Sequence, residues 1–472
     1  MIKNVISVID GEAGSCGKAK VVGEIATDKS INLGAAITNC MPNAGHTFVD
    51  DNGNATVFRN IPVSAVNPNT ELFIGPGSAI DMEVFKSEYE RVSKYLGNRK
   101  IYVHEMVPLI EERHKQYERE HIKSGSTFKG GNAVTCEKIL KDKKIGFFKT
   151  FRNAIVCSND EWHERLYKHL ENPLEYVILE GSQGCDLDIN HSGHYPNTVC
   201  REVSTMQLLA DSGISAERLL QTIMVIRPFP IRISNITKSG EYIYSGNYGK
   251  GEELTWTQIN LASMYGSYPC RGDVECFPSH LNIKRLKKII SHCPEVCLKQ
   301  IFGENYKSKS LDTITLLEAL ELERLMYKSK GLSEYETKLI ELPTVDSDFP
   351  PNTIFDQSEQ TTVTKMERRV FDLDIKKLKT NCQINTPSSL YLNFFQHLGL
   401  DFKGESGNFE DYYFNRYLRE YFDWLERETG VEISALGTGA KNKERILKKE
   451  LVKNIIKWYF IKHNCISIKI LI

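Results

Sequence analysis

Lys18 closes the run Val8-Ile9-Asp10-Gly11-Glu12-Ala13-Gly14-Ser15-Cys16-Gly17-Lys18-Ala19-Lys20, in which three glycines precede a lysine. These residue types can hold a phosphate. Glycines let backbone N–H groups close on the anion, a helix start adds partial positive charge, and the ammonium adds a full one. The spacing departs from the standard phosphate loop. Its first glycine lies one residue too far out, and Ala19 stands where Ser or Thr would ligate magnesium. An ordinary glycine turn also fits the bare motif.

Three further groupings carry chemistry. Asn43-Ala44-Gly45-His46-Thr47 sets a histidine in a small-residue turn, where it can act as a general acid or hydrogen-bond a phosphoryl group,. Glu180-Gly181-Ser182-Gln183-Gly184 flanks a glutamine with glycines, which lets its amide approach a ligand. Downstream, Asp186, Asp188, His191 and His194 are scattered without metal-ligand spacing,. Finally, Glu359 to Arg369 interleaves Thr361, Thr362 and Thr364 with Lys365, Arg368 and Arg369, a receptor for a small dicarboxylate or a phosphate,. Surface histidines, tight turns and a solvated basic strand explain these groupings one at a time.

These residues need a scaffold. The apolar run Val5–Ile9 reads as a buried strand entering the glycine loop, and Lys20–Ala26 as the helix leaving it,. Ala36–Thr38, Glu71–Ile74, Lys100–Val103 and Tyr176–Leu179 read as strands. Met82–Leu96, Ile110–Lys123, Glu161–Leu170 and Thr205–Ala210 read as helices. The alternation predicts an α/β fold with a mostly parallel central sheet and flanking helices. In such sheets ligands bind beyond the carboxyl ends of the strands, where the glycine loop falls.

Bulk properties bound the class. The 472 residues suffice for a large core, with two or three domains expected,. Sixty Lys and Arg against 61 Asp and Glu leave no basic field for nucleic acid,. No apolar run approaches the ~20 residues of a membrane helix, and the first residues lead straight into a strand without a signal-peptide pattern. Twelve cysteines are ordinary for this length,. The expectation is a cytosolic enzyme with reduced thiols.

Taken together, the motifs resemble the adenylosuccinate synthetases. Gly14–Lys18, Asn43–Thr47, Gly75-Pro76-Gly77, Gly125-Ser126-Thr127, Glu180–Gly184, the Thr361–Arg369 loop and Gly437-Thr438-Gly439 occur in that family's order over residues 3–260 and 354–447. Val225–Arg232 and Glu253–Trp256 are similar to segments of its shorter archaeal and phage branch. The resemblance implies a P-loop-related fold and a two-step ligase. A nucleoside triphosphate phosphorylates the purine 6-oxygen, and the amine of L-aspartate displaces that phosphate. It implies Lys18 as the phosphate holder, His46 as the stabiliser of the moving phosphoryl group, and Mg²⁺ near Ser15 and the Gly45 carbonyl. Nucleotide contacts are implied for Gly14, Cys16, Gly17, Ala19, Gly45, His46, Thr47, Asn385, Gln396, Gly437 and Gly439. Purine-substrate contacts are implied for Ser15, Asn43, Ser126, Thr127, Lys141, Gln183, Thr198, Val199 and Arg201. Aspartate contacts are implied for Thr361, Thr362, Val363, Thr364, Lys365 and Arg368 or Arg369. A homodimer is implied as well, in which Lys138 or Lys141 takes the place of the arginine that a partner subunit normally lends.

The departures sharpen the expectation. The family's catalytic Asp is Ser15 here, and serine is no base near neutral pH unassisted. The change removes a negative charge beside the purine N1–C2 edge, where guanine carries its 2-amino group. It resembles the 2-aminoadenylosuccinate synthases of phages with diaminopurine DNA, which act on dGMP. The family carboxylate that pairs with guanine of GTP aligns with Gln396, which points to ATP or dATP as donor; an aromatic core helix over this stretch is the alternative. Val199 falls where a threonine is expected, and Thr198 can replace it by a one-residue shift. The expected enzyme joins dGMP to L-aspartate, in a host cytoplasm if phage-encoded. The competing readings are an adenylosuccinate synthetase using IMP and GTP, and an inactive purine-nucleotide sensor.

Residues 262–353 match nothing in the family and read as an insertion into a core of 1–261 and 354–447. Cys270, Cys276, His280, His292, Cys293 and Cys297 lie within it. Without any CxxC pair, buried or incidental thiols fit these spacings better than a structural zinc site. Ser310–Lys328 reads as a helix, and 448–472 as a tail whose Trp458-Tyr459-Phe460 packs back on the core.

Overall fold

Val5, Ile6, Val8 and Ile9 are all buried, yet they divide between two cores. Val5 and Ile9 join one, Ile6 and Val8 the other. Alternation is the geometry of a strand, and burial on both faces is the condition of a parallel sheet covered by helices. The computed structural model describes residues 1–122, 127–235, 242–256, 295–304, 306–308, 359–360, 367–412 and 416–452, with Gly240, Ile259, Ser263 and Phe414.

In chain order the elements are β1 (Val5–Asp10), α1 (Lys18–Thr27), β2 (Leu33–Thr38), β3 (His46–Val49), β4 (Ala55–Phe58), β5 (Glu71–Ile74), α2 (Met82–Leu96), β6 (Ile101–His104), α3 (Glu112–His121), α4 (Gly131–Ile139), β7 (Ala154–Cys157), α5 (Asn159–Leu170), β8 (Tyr176–Glu180), α6 (Thr205–Ser212) and β9 (Leu219–Ile226). The second half adds β10 (Ile231–Arg232), β11 (Glu253–Leu254), α7 (Glu295–Phe302), β12 (Arg369–Phe371), α8 (Ile375–Asn385), β13 (Ser389–Leu392), β14 (Gly407–Asn408), α9 (Arg416–Thr429), β15 (Ile433–Gly437) and β16 (Arg445–Leu447).

Among the described residues the main sheet runs β14-β16-β15-β13-β9-β1-β8-β2-β5-β6-β7. Its pairs are parallel except β15 with β16. β1 lies at the centre, with Val8 opposite Glu180 and Asp10 opposite Val225. The loops after β1, β2, β8, β9, β13 and β15 therefore gather at one edge, the carboxyl end, where α/β sheets bind ligands. Helices α1 and α2 cover the face of Ile6 and Val8, and α5, α6, α8 and α9 cover the other. A small antiparallel sheet, β10-β12-β11, carries the chain on either side of the Glu359–Arg369 segment.

Local chemistry explains the ends. Asp81 caps α2 by accepting Glu83 and Val84 N–H groups, and a Ser158–Glu161 capping box starts α5,. The helix expected over Ile110–Lys123 spans Glu112–His121, and the strand expected over Lys100–Val103 begins at Ile101. The aromatic stretch Asn393–Gln396 is no core helix. It forms the turn after β13 and enters a short 3-10 helix, Phe395–His397. Ser310–Lys328, the cysteines and histidines at 270–293 and the Trp458–Phe460 tail lie outside the described residues, as does the Cys297 side chain. No described helix is long and apolar enough to cross a membrane.

Candidate active site

Asp10 ends β1 fully buried, and its carboxylate occupies the inside of the glycine loop. Oδ1 accepts the N–H groups of Glu12 (3.1 Å) and Gly14 (3.2 Å). Oδ2 accepts the Cys16 N–H (2.9 Å) and the Lys18 ammonium (3.2 Å). The motif assigned such amides to an external anion; here three of them close on an internal one. Hydrogen bonds to charged groups are worth about 1.5–3 kcal/mol each, so Asp10 shapes the loop before any ligand arrives. Gly14 and Gly17 take φ values of 90° and 88°, and Ser15 takes 60°, exposed at the loop crest. The first turn of α1, from Lys18 and Ala19, still offers helix N–H groups to an anion,.

Glu12 is turned inward too. It is fully buried, with Oε1 on the Arg227 N–H (3.0 Å) and Oε2 on the Cys16 thiol (3.2 Å). Burial pushes its carboxyl up to about 8; the Arg227 amide opposes this and the nearby Asp10 charge adds to it,. Arg227 is also fully buried. Its guanidinium lies 4.1 Å from the Phe394 ring centre, reaches the Ser15 carbonyl (3.4 Å) and pairs with both oxygens of Glu359. Burial would raise the Glu359 carboxyl; Arg227 foremost, then His397 and Arg368, hold it below its usual value.

The loop after β8 leans on this assembly. The Gln183 carbonyl, at a residue with φ of 63°, accepts the Lys18 ammonium (2.7 Å). A side chain at Gly184 would land on the Glu12 carbonyl and the Gly14 amide. The loop after β13 completes the frame. Asn393 donates its amide to the Cys16 carbonyl (2.9 Å), and side chains at Gly17 or Gly437 would each strike that amide. Gly439 is similarly pressed by the Glu444 carboxylate. Gln396, three residues on, has a buried carbonyl oxygen without a partner among the described residues.

His46 begins β3, partly buried between the exposed Gly45 and Thr47. Its Nε2 lies 3.6 Å from the Cys40 sulfur. Burial pushes the imidazole down to about 3, helped by the Lys18 ammonium, so the ring is neutral,. Asn43 keeps a buried Oδ1 without a partner among the described residues.

The remaining candidates divide. Thr127 is half-buried and Thr198 and Val199 lie in the loop after β8, where the Val199 N–H bonds the Leu187 carbonyl (2.8 Å). Arg201 bonds the Gly77 carbonyl (2.6 Å) and pairs with Asp211 (2.8 Å). Lys138 is committed to the Pro76 and Met106 carbonyls, both at 2.8 Å, whereas Lys141 is exposed. Asn385 is buried at the end of α8. Its amide accepts the Thr205 N–H (3.0 Å) and donates to the Asn381 carbonyl (3.0 Å), which anchors the start of α6. Ser126, Thr361, Thr362, Val363, Thr364 and Lys365 lie outside the described residues. The stem of their loop is described: Gln360 bridges Glu367, and Arg368 lies near Glu359. Arg369 is saturated, bonding Glu253, Asn235, Asn247, Ser245 and the Gly246 carbonyl. Between the two arginines the geometry thus favours Arg368 for a ligand. No group of three or more His, Cys, Asp or Glu suited to a metal occurs among the described residues.

Asp10, Glu12, Cys40, Arg227, Glu359 and Asn393 were not singled out by the motifs. An acidic residue at the very end of a buried apolar strand was the available signal for Asp10. The Arg227–Glu359 pair joins distant segments and left none.

Comparison with known proteins points to one family and one fold. The family model described as adenylosuccinate synthetase matches residues 8–147. The N6-succino-2-amino-2'-deoxyadenylate synthase of Vibrio phage phiVC8 is 30% identical over 270 residues, 55% of this chain and 74% of that protein. The adenylosuccinate synthetase of Pyrococcus horikoshii is 28% identical over 233 residues, 48% of this chain and 66% of that one. Among solved structures, the succinoaminodeoxyadenylate synthetase of cyanophage S-2L, bound to dGMP and to dATP as an energy donor, superposes with a TM-score of 0.63 at 20% identity, covering 98% of this chain and 99% of that one. A central parallel sheet with these loops at its carboxyl edge, and a phage relative of which three quarters is spanned, place the chain in the adenylosuccinate synthetase family.

Proposed function

We propose that this ligase condenses dGMP with L-aspartate at the expense of ATP or dATP, giving N6-succinyl-2-aminodeoxyadenylate for diaminopurine DNA. The observation that carries this reading is the crest of the glycine loop. Ser15 is exposed there, while the loop's two carboxylates turn inward, Asp10 to the loop amides and Glu12 to the Arg227 amide. A purine edge laid on that crest meets a neutral hydroxyl where a carboxylate would otherwise face N1. A 2-amino group finds both room and an acceptor. The ligands bound to the cyanophage relative, dGMP and dATP, agree with this choice.

In this reading Lys18 and the first turn of α1 hold phosphate. His46, kept neutral by burial, donates an N–H to the phosphoryl group as it passes to the purine 6-oxygen,. The aspartate amine then displaces that phosphate, releasing inorganic phosphate. Arg368 and the threonines at 361, 362 and 364 hold the aspartate carboxylates, and Asn43, Thr127 and Gln183 hold the nucleotide substrate. The Gln396 oxygen, without a partner among the described residues, suits an exocyclic amine, which adenine has at the position where guanine has a carbonyl,. Magnesium takes hard oxygen ligands, and the exposed residues Ser15 and Gly45 carry a hydroxyl and a carbonyl of that kind; bound with the triphosphate it would neutralise phosphate charge,. The proposal includes a homodimer, with Lys141 as the cation offered to a neighbour, since Lys138 is engaged within its own chain.

A substrate matrix tests the reading. Protein, Mg²⁺ and L-aspartate are combined with dGMP, GMP, IMP or dIMP and with ATP, dATP or GTP, and succinyl product is followed by mass. Product from dGMP with an adenine nucleotide is expected. Product only from IMP with GTP overturns it, and nucleotide binding with no product anywhere turns the assignment to a sensor.

A further inference from the structure

The structure sets a thiol against the imidazole to which phosphoryl transfer has just been assigned. Cys40, in the turn after β2, is fully buried, with its sulfur 3.6 Å from His46 Nε2. The Ser182 hydroxyl, from the loop after β8, is a neighbouring donor that favours the thiolate, but burial outweighs it and pushes the thiol up to about 12, so it keeps its proton. Three loops thus meet in one chain of donors: Ser182, Cys40, His46.

The direction of that chain follows from donor and acceptor strength. A hydroxyl is a better donor than a thiol, so Ser182 donates to sulfur. The sulfur hydrogen is then free to point at the ring. A bare imidazole nitrogen is a good acceptor, whereas sulfur is a weak acceptor for a ring N–H. In a neutral histidine, the bond made by one nitrogen decides which nitrogen carries the proton. Among the described residues His46 Nδ1 has no hydrogen-bond partner.

We propose that Cys40 is a positioning residue that holds His46 in its Nδ1–H form, with Nε2 accepting the thiol and Nδ1–H offered to the transferring phosphoryl group. The tautomer part stands on the contact between Cys40 and His46 Nε2 and on donor and acceptor strength; the catalytic part rests on the proposed role of His46. Without the thiol, the ring reverts toward the Nε2–H form that free histidine prefers, and the donor faces away from the reacting group.

Nitrogen-15 NMR of histidine-labelled full-length protein reads the tautomer, with His46→Gln used to identify the signals. The wild-type ring is expected to show Nδ1 protonated and Nε2 bare. Cys40→Ala shifts the population toward Nε2–H, and Cys40→Ser, whose hydroxyl also donates, keeps Nδ1–H. A wild-type His46 in the Nε2–H form overturns the proposal whatever the activity. In turnover, Cys40→Ala lowers kcat by about tenfold, the low end for loss of a ring-orienting partner, with KM for each substrate little changed, and Cys40→Ser restores most of it. A tautomer switch in Cys40→Ala with kcat unchanged supports the positioning by Cys40 and overturns the role given to His46.

Discussion

The glycine loop and the stem of the 359–369 loop are both built on buried charge, but they are held in opposite ways. In the first, one carboxylate, Asp10, gathers backbone N–H groups. In the second, side chains hold side chains: Arg227 grips Glu359, and Arg369 is saturated by five neighbours. A loop shaped through its amides leaves the side chain at its crest, Ser15, uncommitted. A loop shaped through ion pairs commits its side chains. The exposed residue Ser15 can therefore change without disturbing the scaffold, whereas Arg369 has no freedom left to serve a ligand.

The sharpest way to break this contrast is Asp10→Ala. It strands three buried N–H groups and leaves the Lys18 ammonium with only the Gln183 carbonyl among the described residues, and should lower stability by about 3–5 kcal/mol and abolish turnover. A urea-unfolding change below about 1 kcal/mol would mean that the amides are satisfied some other way. Arg227→Met comes next. It leaves Glu359 without its main partner and should cost about 3 kcal/mol. Glu359→Gln in the same chain should return much of that, and a double-mutant cycle measures the coupling.

A third test is pH. The Glu12 carboxyl lies at about 8 in the fold against an ordinary value of 4.5. The folded state therefore holds a proton that the unfolded chain has released between those values. Stability falls as pH rises through this window, by at most about 1.4 kcal/mol per unit for one proton, and levels off above it. Glu88 and Glu180, each raised by burial to about 7, slope the same way over a shorter range. Glu12→Gln should remove only its own share, so the difference between variant and wild-type stability curves should grow from pH 4.5 to 8; a difference that stays flat refutes the assignment. The smallest stability effect belongs to Ser15→Asp. Asp tolerates a left-handed backbone, so stability should move by no more than about 0.5 kcal/mol. Specificity should nevertheless swing from dGMP toward IMP in competition assays.

Local signals were legible in the sequence. Met82–Leu96 was delimited correctly because Asp81 caps it and Gly97 stops it. β1, β5 and β8 followed from short apolar runs ended by loop residues, which places the glycine loop and Gln183 at one sheet edge,. What could not be read was long-range. The amide of Asn385 anchors the start of α6, a link that no local pattern shows. Strands of two residues, such as β10 and β11, carry no period to detect. Asp10 ends a buried apolar strand, but nothing local says which way its carboxylate turns.

The Asn393 amide, wedged between Gly17 and Gly437, has a consequence for descent. Neither glycine can acquire a side chain while that amide holds the Cys16 carbonyl. Three positions from remote parts of the chain are thus heritable only as a set. Among related sequences they should covary: a lineage that enlarges either glycine should also have replaced the asparagine with something smaller and found another way to hold the loop.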